Sequence, residues 1–351
     1  MKRNKKVAIL VFFTIAILVV ICLFGKNFKK NDFHYWRAGS ESLVALQNYV
    51  KDVTNANSKN FIPVENRIAV FDMDGTLYGE KAPIYVDWWM YVYRVLNDSS
   101  YKASKELVEV ANKIVEASKN GIIPEELELQ HAVSNAEAYA NMTLDEYKDY
   151  VATFIKKDAE GFTGMSYADA WYLPMLEVIN YLNKNDFTLY ICSGTDRFLI
   201  RELANGKVNI PKRQIIGMDV LCIASGQGET DGLDYNYTDN DDVIRSKKLI
   251  IKSVKANKVS QIAQEIGAKP VLSFGNSSGD LSMSKFTLLR NPYKSMAFMV
   301  VADDTEREYG DIEKAKQASD KWKANGCVPI SMKDDWSTIY GDKVIKNNVN
   351  K

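Results

Sequence analysis

The apolar positions of this chain fall into three regimes. An uncharged stretch, VAILVFFTIAILVVICLFG, runs from Val7 to Gly25. Residues 26–40 then read as a polar stalk, and Ser42–Val53 as a short amphipathic helix. Arg67–Phe71 is a brief apolar run rich in β-branched residues, the pattern of a buried strand. From about Gly79 to Ala170 helical spacing takes over, at Val86–Leu96, Ser104–Ser118, Pro124–Tyr139 and Leu144–Lys157. Two of these starts carry acids in the first turn, at Ile123-Pro124-Glu125-Glu126 and Thr143-Leu144-Asp145-Glu146. Beyond this all-α block, strands and helices alternate. Leu173–Leu182 is predicted helical, Phe187–Cys192 a strand, Phe198–Leu203 a helix start and Ile215–Ile223 strand-like. Lys258–Ile266 is a further helix, and Pro270–Phe274 and Ala297–Val301 are further strands. Such alternation predicts an α/β fold with a doubly wound, Rossmann-like parallel sheet and an inserted helical cap. The domains expected are 1–30 as a membrane anchor or signal segment, 31–78 as stalk and start of the core, 79–170 as cap, and 171–345 as the α/β core.

Charge changes the reading of the N-terminus. Lys2, Arg3, Lys5, Lys6, Lys26, Lys29 and Lys30 flank the apolar stretch with no acid among them, so the rest of the chain is mildly acidic. The stretch is close to the ~20 residues a membrane-crossing helix needs. The tight N-terminal cluster favours that end inside, and the body as an extracytoplasmic, membrane-anchored domain. Secretion after signal cleavage is the alternative. The lack of a small-x-small site after the apolar run argues against it. Overall the charges balance, 45 basic against 45 acidic, which gives no reason to expect nucleic acid as a partner. Two histidines make a Ser-His-Asp triad or a multi-His zinc site a poor expectation. Cys192 falls in a predicted buried strand, and a Cys222–Cys327 bridge has no support from spacing.

Chemistry gathers where strands end. Phe71-Asp72-Met73-Asp74-Gly75-Thr76-Leu77 closes the first strand with two carboxylates two positions apart and a Gly turn. In open α/β sheets ligands sit beyond the carboxyl ends of the strands. Two acids there repel unless a cation or a proton sits between them, and a hard divalent cation such as Mg²⁺ resolves the conflict. Solvated turn acids are the bland alternative, less natural directly after so apolar a strand. Leu189-Tyr190-Ile191-Cys192-Ser193-Gly194 ends a second strand in a hydroxyl and a glycine, a weak signal alone. Leu272-Ser273-Phe274-Gly275-Asn276-Ser277-Ser278-Gly279-Asp280 ends a third and offers oxygen ligands.

Together these segments resemble the haloacid dehalogenase superfamily, over about Ala69 to Tyr309. Within it the chain resembles the phosphoserine-phosphatase-like or phosphorylcholine-phosphatase-like subgroup with a GNSxGD motif. The resemblance implies a phosphomonoester hydrolase acting on a small phosphorylated metabolite. Asp72 would attack phosphorus to form an aspartyl-phosphate, and Asp74 would act as general acid and then base. The family's dehalogenases lack that second acid. Mg²⁺ would be held by Asp72, Asp74, Asn276 and Asp280. Asn276 stands where an acid is commoner, and so removes one negative charge. Phosphate would be held by Asp72, Gly75, Thr76, Ser193, Gly194 and a lysine. Lys258, opening a helix that leads to the third strand, is preferred over Lys248.

Substrate identity is expected to lie in the cap. Asp87-Trp88-Trp89-Met90-Tyr91-Val92-Tyr93 pairs aromatics with an acid, and Trp88 and Trp89 would suit a cage for a quaternary ammonium such as phosphocholine. Clustered helical aromatics are more often packing residues. Glu80 is a second candidate for a substrate amine, or else a hinge ion-pair partner. Two other functions fit the same residues. One is phosphoryl transfer to an alcohol. The other is a membrane-anchored binding protein on a hydrolase fold that has lost activity, which only Asn276 favours.

Overall fold

Short apolar strands flanked by amphipathic helices assemble into one central sheet. The structure is a computed structural model that describes residues 32–81 and 83–347. Seven strands lie in the order β5-β4-β3-β1-β6-β7-β8. They are β1 Ile68–Phe71, β3 Thr188–Asp196, β4 Ile215–Ala224, β5 Val243–Ile251, β6 Leu272–Gly275, β7 Met296–Val301 and β8 Val328–Ser331. All neighbours are parallel except β4 and β5. A wholly parallel sheet, as the sequence predicts, is therefore corrected at one edge. A separate two-stranded ribbon pairs β2 Phe162–Thr163 with β9 Ile345–Lys346.

Every residue of β1 is buried, as expected of a strand covered on both faces. Across β1, β6 and β7 the register places Phe71 opposite Phe274 and Phe274 opposite Phe298. The rings stack at centroid distances of 4.4 and 5.1 Å. Each such pair contributes about 0.5–1.5 kcal/mol beyond area burial. The ladder fixes the tips of β1 and β6 at one level. The Asp72 amide then donates to the Phe274 carbonyl at 2.8 Å.

Ten α-helices occur among the described residues. Helix α1 Glu41–Thr54 starts at the Ser40 cap, and α2 Val86–Leu96, α3 Lys105–Asn120, α4 Glu125–Ala138 and α5 Leu144–Phe154 form the insert. The sequence signals that start and stop them are physical. Ser104 caps α3, Gly121 ends it at φ 70°, and Thr143 with Glu146 forms a capping box on α5. The remaining helices are α6 Leu173–Lys184, α7 Arg197–Leu203, α8 Ala256–Glu265, α9 Leu281–Leu288 and α10 Ile312–Ala324. Val70, Cys192 and Ile216 of the sheet pack against Ile262 and Met283 of α8 and α9. Ala297, Met299 and Val301 pack against Ala315 and Trp322 of α10.

The insert is tied down by the antiparallel arm. Arg245 on β5 exchanges backbone bonds with Asn141 and Met142, at 2.7 and 2.9 Å. Its guanidinium, fully buried, pairs with Asp196 at 2.6 Å and lies 3.9 Å from the Tyr147 ring centroid on α5. Among the described residues Cys192, Cys222 and Cys327 are free thiols, so the Cys222–Cys327 bridge is absent. No described helix is long and apolar enough to cross a membrane. The predicted span at Val7–Gly25 lies outside the described residues.

Candidate active site

The sheet reverses strand order at β1, with β3 on one side and β6 on the other. A crevice at such a switch point is where α/β sheets bind ligands. A cavity of about 520 Å³ opens there, between the strand tips and the insert.

Asp72 leaves the end of β1 and is buried. Lys258, in the first turn of α8, reaches it with Nζ at 2.5 Å and reaches Asp280 at 2.6 Å. One ammonium thus joins the first-strand aspartate to the loop after β6. Lys258 is 2% exposed. Burial alone would lower its pKa, but the Asp280 and Asp72 carboxylates push it up, so it stays charged. Burial, and then the charge of Asp280, pushes Asp72 up to about 7 against the pull of Lys258. Lys248 sits exposed on β5 and takes no part.

Asp74 occupies a different environment. Its Oδ2 accepts from Thr195 Oγ1 at 2.7 Å and from Ser193 Oγ at 3.4 Å, while Oδ1 is buried without a partner. Burial, then Asp87 and Asp72, raises its pKa well above the carboxylate range. Burial thus favours the protonated form of Asp74, whereas Asp72 keeps the Lys258 cation beside it.

Two glycines make this convergence feasible. Gly75 has φ +75°, and a Cβ there would collide with the Asn276 side chain. At Gly275 a Cβ would come within 2.5 Å of the Asp280 Cβ. Asp280 Oδ2 in turn accepts from the Asn276 and Ser277 amides, both at 3.0 Å, which shapes the loop. The Asn276 amide nitrogen donates to Glu80 at 2.9 Å, leaving the amide oxygen for other partners. Burial raises Glu80 above its usual range.

Other sequence candidates are placed differently. The Gly75 and Thr76 amides donate to the Tyr78 and Met73 carbonyls, so the turn itself uses them and they are not free phosphate donors. The Thr76 hydroxyl is buried at 3.5 Å from Asp72. Ser193 and Gly194 line the cavity, as does Trp88. Trp89 does not: its indole donates to Glu160 at 3.0 Å. Trp88 is buried and stacks on His131 at 4.8 Å. An aromatic cage built from Trp88 and Trp89 is thus corrected, because helical geometry sends adjacent side chains in different directions. Sequence reasoning missed Thr195 and did not single out Lys252. Thr195 lies two residues past Ser193 in the same strand, a spacing that offers a signal. Lys252 sat among several lysines with nothing to separate them.

Among the described residues no three His, Cys, Asp or Glu side chains gather as a metal site. Two carboxylates do meet, Asp72 and Asp280 on a common cation, with the Asn276 oxygen nearby in sequence and only hard oxygen donors present. Mg²⁺ commonly binds through one or two carboxylates, waters and substrate phosphate. The residues present fit that ion.

No protein-family model and no curated protein sequence matches the chain. Solved structures do. A conserved functionally unknown protein from Anaerococcus prevotii DSM 20548 aligns with 86% of this chain and 94% of its own, at 14% identity and a TM-score of 0.51. Cytosolic 5'-nucleotidase IIIB bound to cytidine aligns with 87% of this chain and 89% of its own, at 10% identity and a TM-score of 0.50. The chain shares its fold with these two structures. At these identities the likeness speaks for the fold alone, and what a fold does depends on its site. In this chain the site brings Asp72, Asp74, Ser193, Lys258, Asn276 and Asp280 to the rim of one cavity.

Proposed function

We propose that the protein is a Mg²⁺-dependent phosphomonoester hydrolase that works through an aspartyl-phosphate on Asp72. The observation that carries this reading is the Lys258 ammonium held between Asp72 and Asp280 at the mouth of β1. A phosphoryl group attacked by Asp72 brings negative charge exactly where this cation can balance it, and positioning with charge neutralisation dominates phosphoryl transfer.

The steps follow from the two aspartates. An Asp72 carboxylate oxygen attacks phosphorus, and the bond from phosphorus to the leaving oxygen breaks. Protonated Asp74 gives that oxygen its proton, while Ser193 and Lys258 hold phosphoryl oxygens. Asp74, now ionised, takes a proton from water, which attacks phosphorus and releases Asp72 and phosphate. Thr195 keeps the Asp74 carboxyl turned toward the cavity in both halves. Mg²⁺, bound by Asp72, Asp280, the Asn276 oxygen and the Asp74 carbonyl, would supply positive charge that favours ionised Asp72. The substrate is a small phosphorylated metabolite, and the apolar leader serves as a membrane tether for the catalytic body.

Release of p-nitrophenol from its phosphate ester tests the reading. Turnover that needs added Mg²⁺, stops with EDTA and returns on restoring Mg²⁺ is expected. An inert protein in Mg²⁺, or full activity in EDTA, would overturn it.

A further inference from the structure

Helix α8 carries Lys258, and a polar network outside the cavity grips it. The helix has no side-chain cap at its N-terminus and is entered at Lys255 with φ +53°, a costly conformation for a residue with a Cβ. Ile262 packs against Val70, Cys192 and Ile216. That packing holds the helix on the sheet, but it is non-directional and sets the rotation only loosely. The directional contacts lie one and two turns past Lys258, at Gln261 and Glu265, on the face that Lys258 shares. Gln261 is buried and donates to the Gly217 carbonyl at 2.9 Å and to Asp219 Oδ2 at 3.2 Å. Arg197, first residue of α7, clamps Asp219 with two bonds of 2.6 Å. It clamps Glu265 with two more, one of them 2.8 Å. Gly217 lets β4 come this close, since a Cβ there would lie 2.7 Å from the Arg197 Cα and from the Thr195 carbonyl oxygen. One guanidinium thus ties α8 and β4 to the corner where β3 ends, two residues after the threonine that holds Asp74.

We propose that Arg197 is a positioning residue, which through Asp219 and Glu265 sets the rotation of α8 and so holds the Lys258 ammonium on Asp72 and Asp280 together. This rests on the phosphatase reading and adds a residue outside the cavity lining on which that chemistry depends. The two Lys258 bonds, at 2.5 and 2.6 Å, tolerate little movement. A side-chain tip about 5 Å from a helix axis moves about 2 Å when the helix turns by roughly 20°, and a hydrogen bond stretched that far is lost. The clamp suits the task. Its four bonds are charge-assisted, spring from one planar guanidinium and fix direction as well as distance. The Arg197 side chain is only 13% exposed, unlike the solvated surface pairs that contribute little.

The test compares the full chain in Mg²⁺ with Arg197→Met, Arg197→Lys, Lys258→Met and the double variant Arg197→Met/Lys258→Met. Two quantities are read, the Kd of inorganic phosphate by calorimetry and kcat/KM on p-nitrophenyl phosphate, with melting curves alongside. Arg197→Met is expected to weaken phosphate binding and lower kcat/KM at least about tenfold, the scale of one hydrogen bond to a charged group. Arg197→Lys, which can pair with one carboxylate at a time, should recover part of that loss. In the Lys258→Met background, Arg197→Met should change phosphate affinity by less than about twofold, because the group it aims is gone. A role in stability alone would lower the melting curve and leave the phosphate Kd of the folded chain unchanged. That result, or an equal loss of affinity with and without Lys258, would overturn the proposal. If Lys258→Met binds no phosphate at all, recovery by Arg197→Lys decides, and its absence counts against the proposal. Should Arg197→Met fail to fold, Glu265→Gln, at the more exposed end of the network, takes its place in the same cycle, with a loss of about threefold expected. A wild type that neither binds phosphate nor turns over p-nitrophenyl phosphate removes the phosphatase reading itself. A wild type that does either, beside an unchanged Arg197→Met, removes only the role of Arg197.

Discussion

At the scale of single residues, identical side chains acquire different chemistry from their surroundings. Asp72 faces Lys258, whereas Asp74 accepts from Thr195 with Asp87 near it, and burial lifts the second well above its usual value. Thr195→Val removes the 2.7 Å hydroxyl bond and leaves Asp74 less well aimed. We expect kcat to fall roughly tenfold, the cost of one hydrogen bond to an active carboxyl, with little change in thermal stability. Steady-state kinetics and a melting curve measure both. Glu308 makes a pH-dependent contribution. It is buried against Tyr340, whose hydroxyl donates to it, and burial pushes its pKa up from 4.5 to about 7. The folded chain therefore binds this proton more tightly than the unfolded chain. Stability from this group falls as pH rises from about 4.5 to about 7, and is level outside that window. Glu308→Gln, still able to accept from Tyr340, should flatten the decline in urea midpoints measured across that range. At this scale the sequence was most readable where a residue ends a strand. Asp72, Lys258 and Asp280 meet because their strands and helix start at one edge. Thr195 was hidden, because its role depends on Asp74 lying opposite it across two strand tips; Asp87 was visible as an acid beside aromatics, but not that its oxygens lack partners among the described residues.

Among elements, the antiparallel arm β4–β5 does structural work that a parallel sheet would not. It carries Arg245 inward, where its pairing with Asp196 also fixes the residue that caps α7 through the Phe198 and Leu199 amides. Arg245→Met leaves Asp196 buried and unpaired. We expect a loss of about 3–5 kcal/mol, read from denaturant midpoints. A loss under about 1 kcal/mol would mean that the pair is not desolvated in solution. The helices of the insert were legible because capping residues and apolar spacing agree along them. Strand β5 was not: VIRSKKLII mixes charges into an edge strand, whose outer face is open to water, so neither alternation nor a continuous apolar run marks it. Helix α10, with exposed lysines and only Ala315 and Trp322 buried, gave an equally faint apolar stripe.

For the molecule as a whole, the tract Ala302–Tyr309, which the sequence left without a role, joins the far edge of the sheet to the base of the insert. Asp304 binds Arg307, Arg307 holds the Met332 and Trp336 carbonyls, and the Tyr309 hydroxyl donates to the Gly161 carbonyl at 2.6 Å. Such long-range ties leave no local pattern to read. The α/β core was legible because its strands are buried on both faces and announce themselves as apolar runs. The proposed function makes one central claim, that Asp72 takes the phosphoryl group. Its most direct test is to stop turnover in acid and locate the phosphate by peptide mass spectrometry. The account predicts one phosphoryl group on the peptide containing Asp72, labile to hydroxylamine, and neither phosphopeptide nor turnover in a folded Asp72→Asn variant. Steady turnover by Asp72→Asn, or phosphate trapped on another residue, would contradict it.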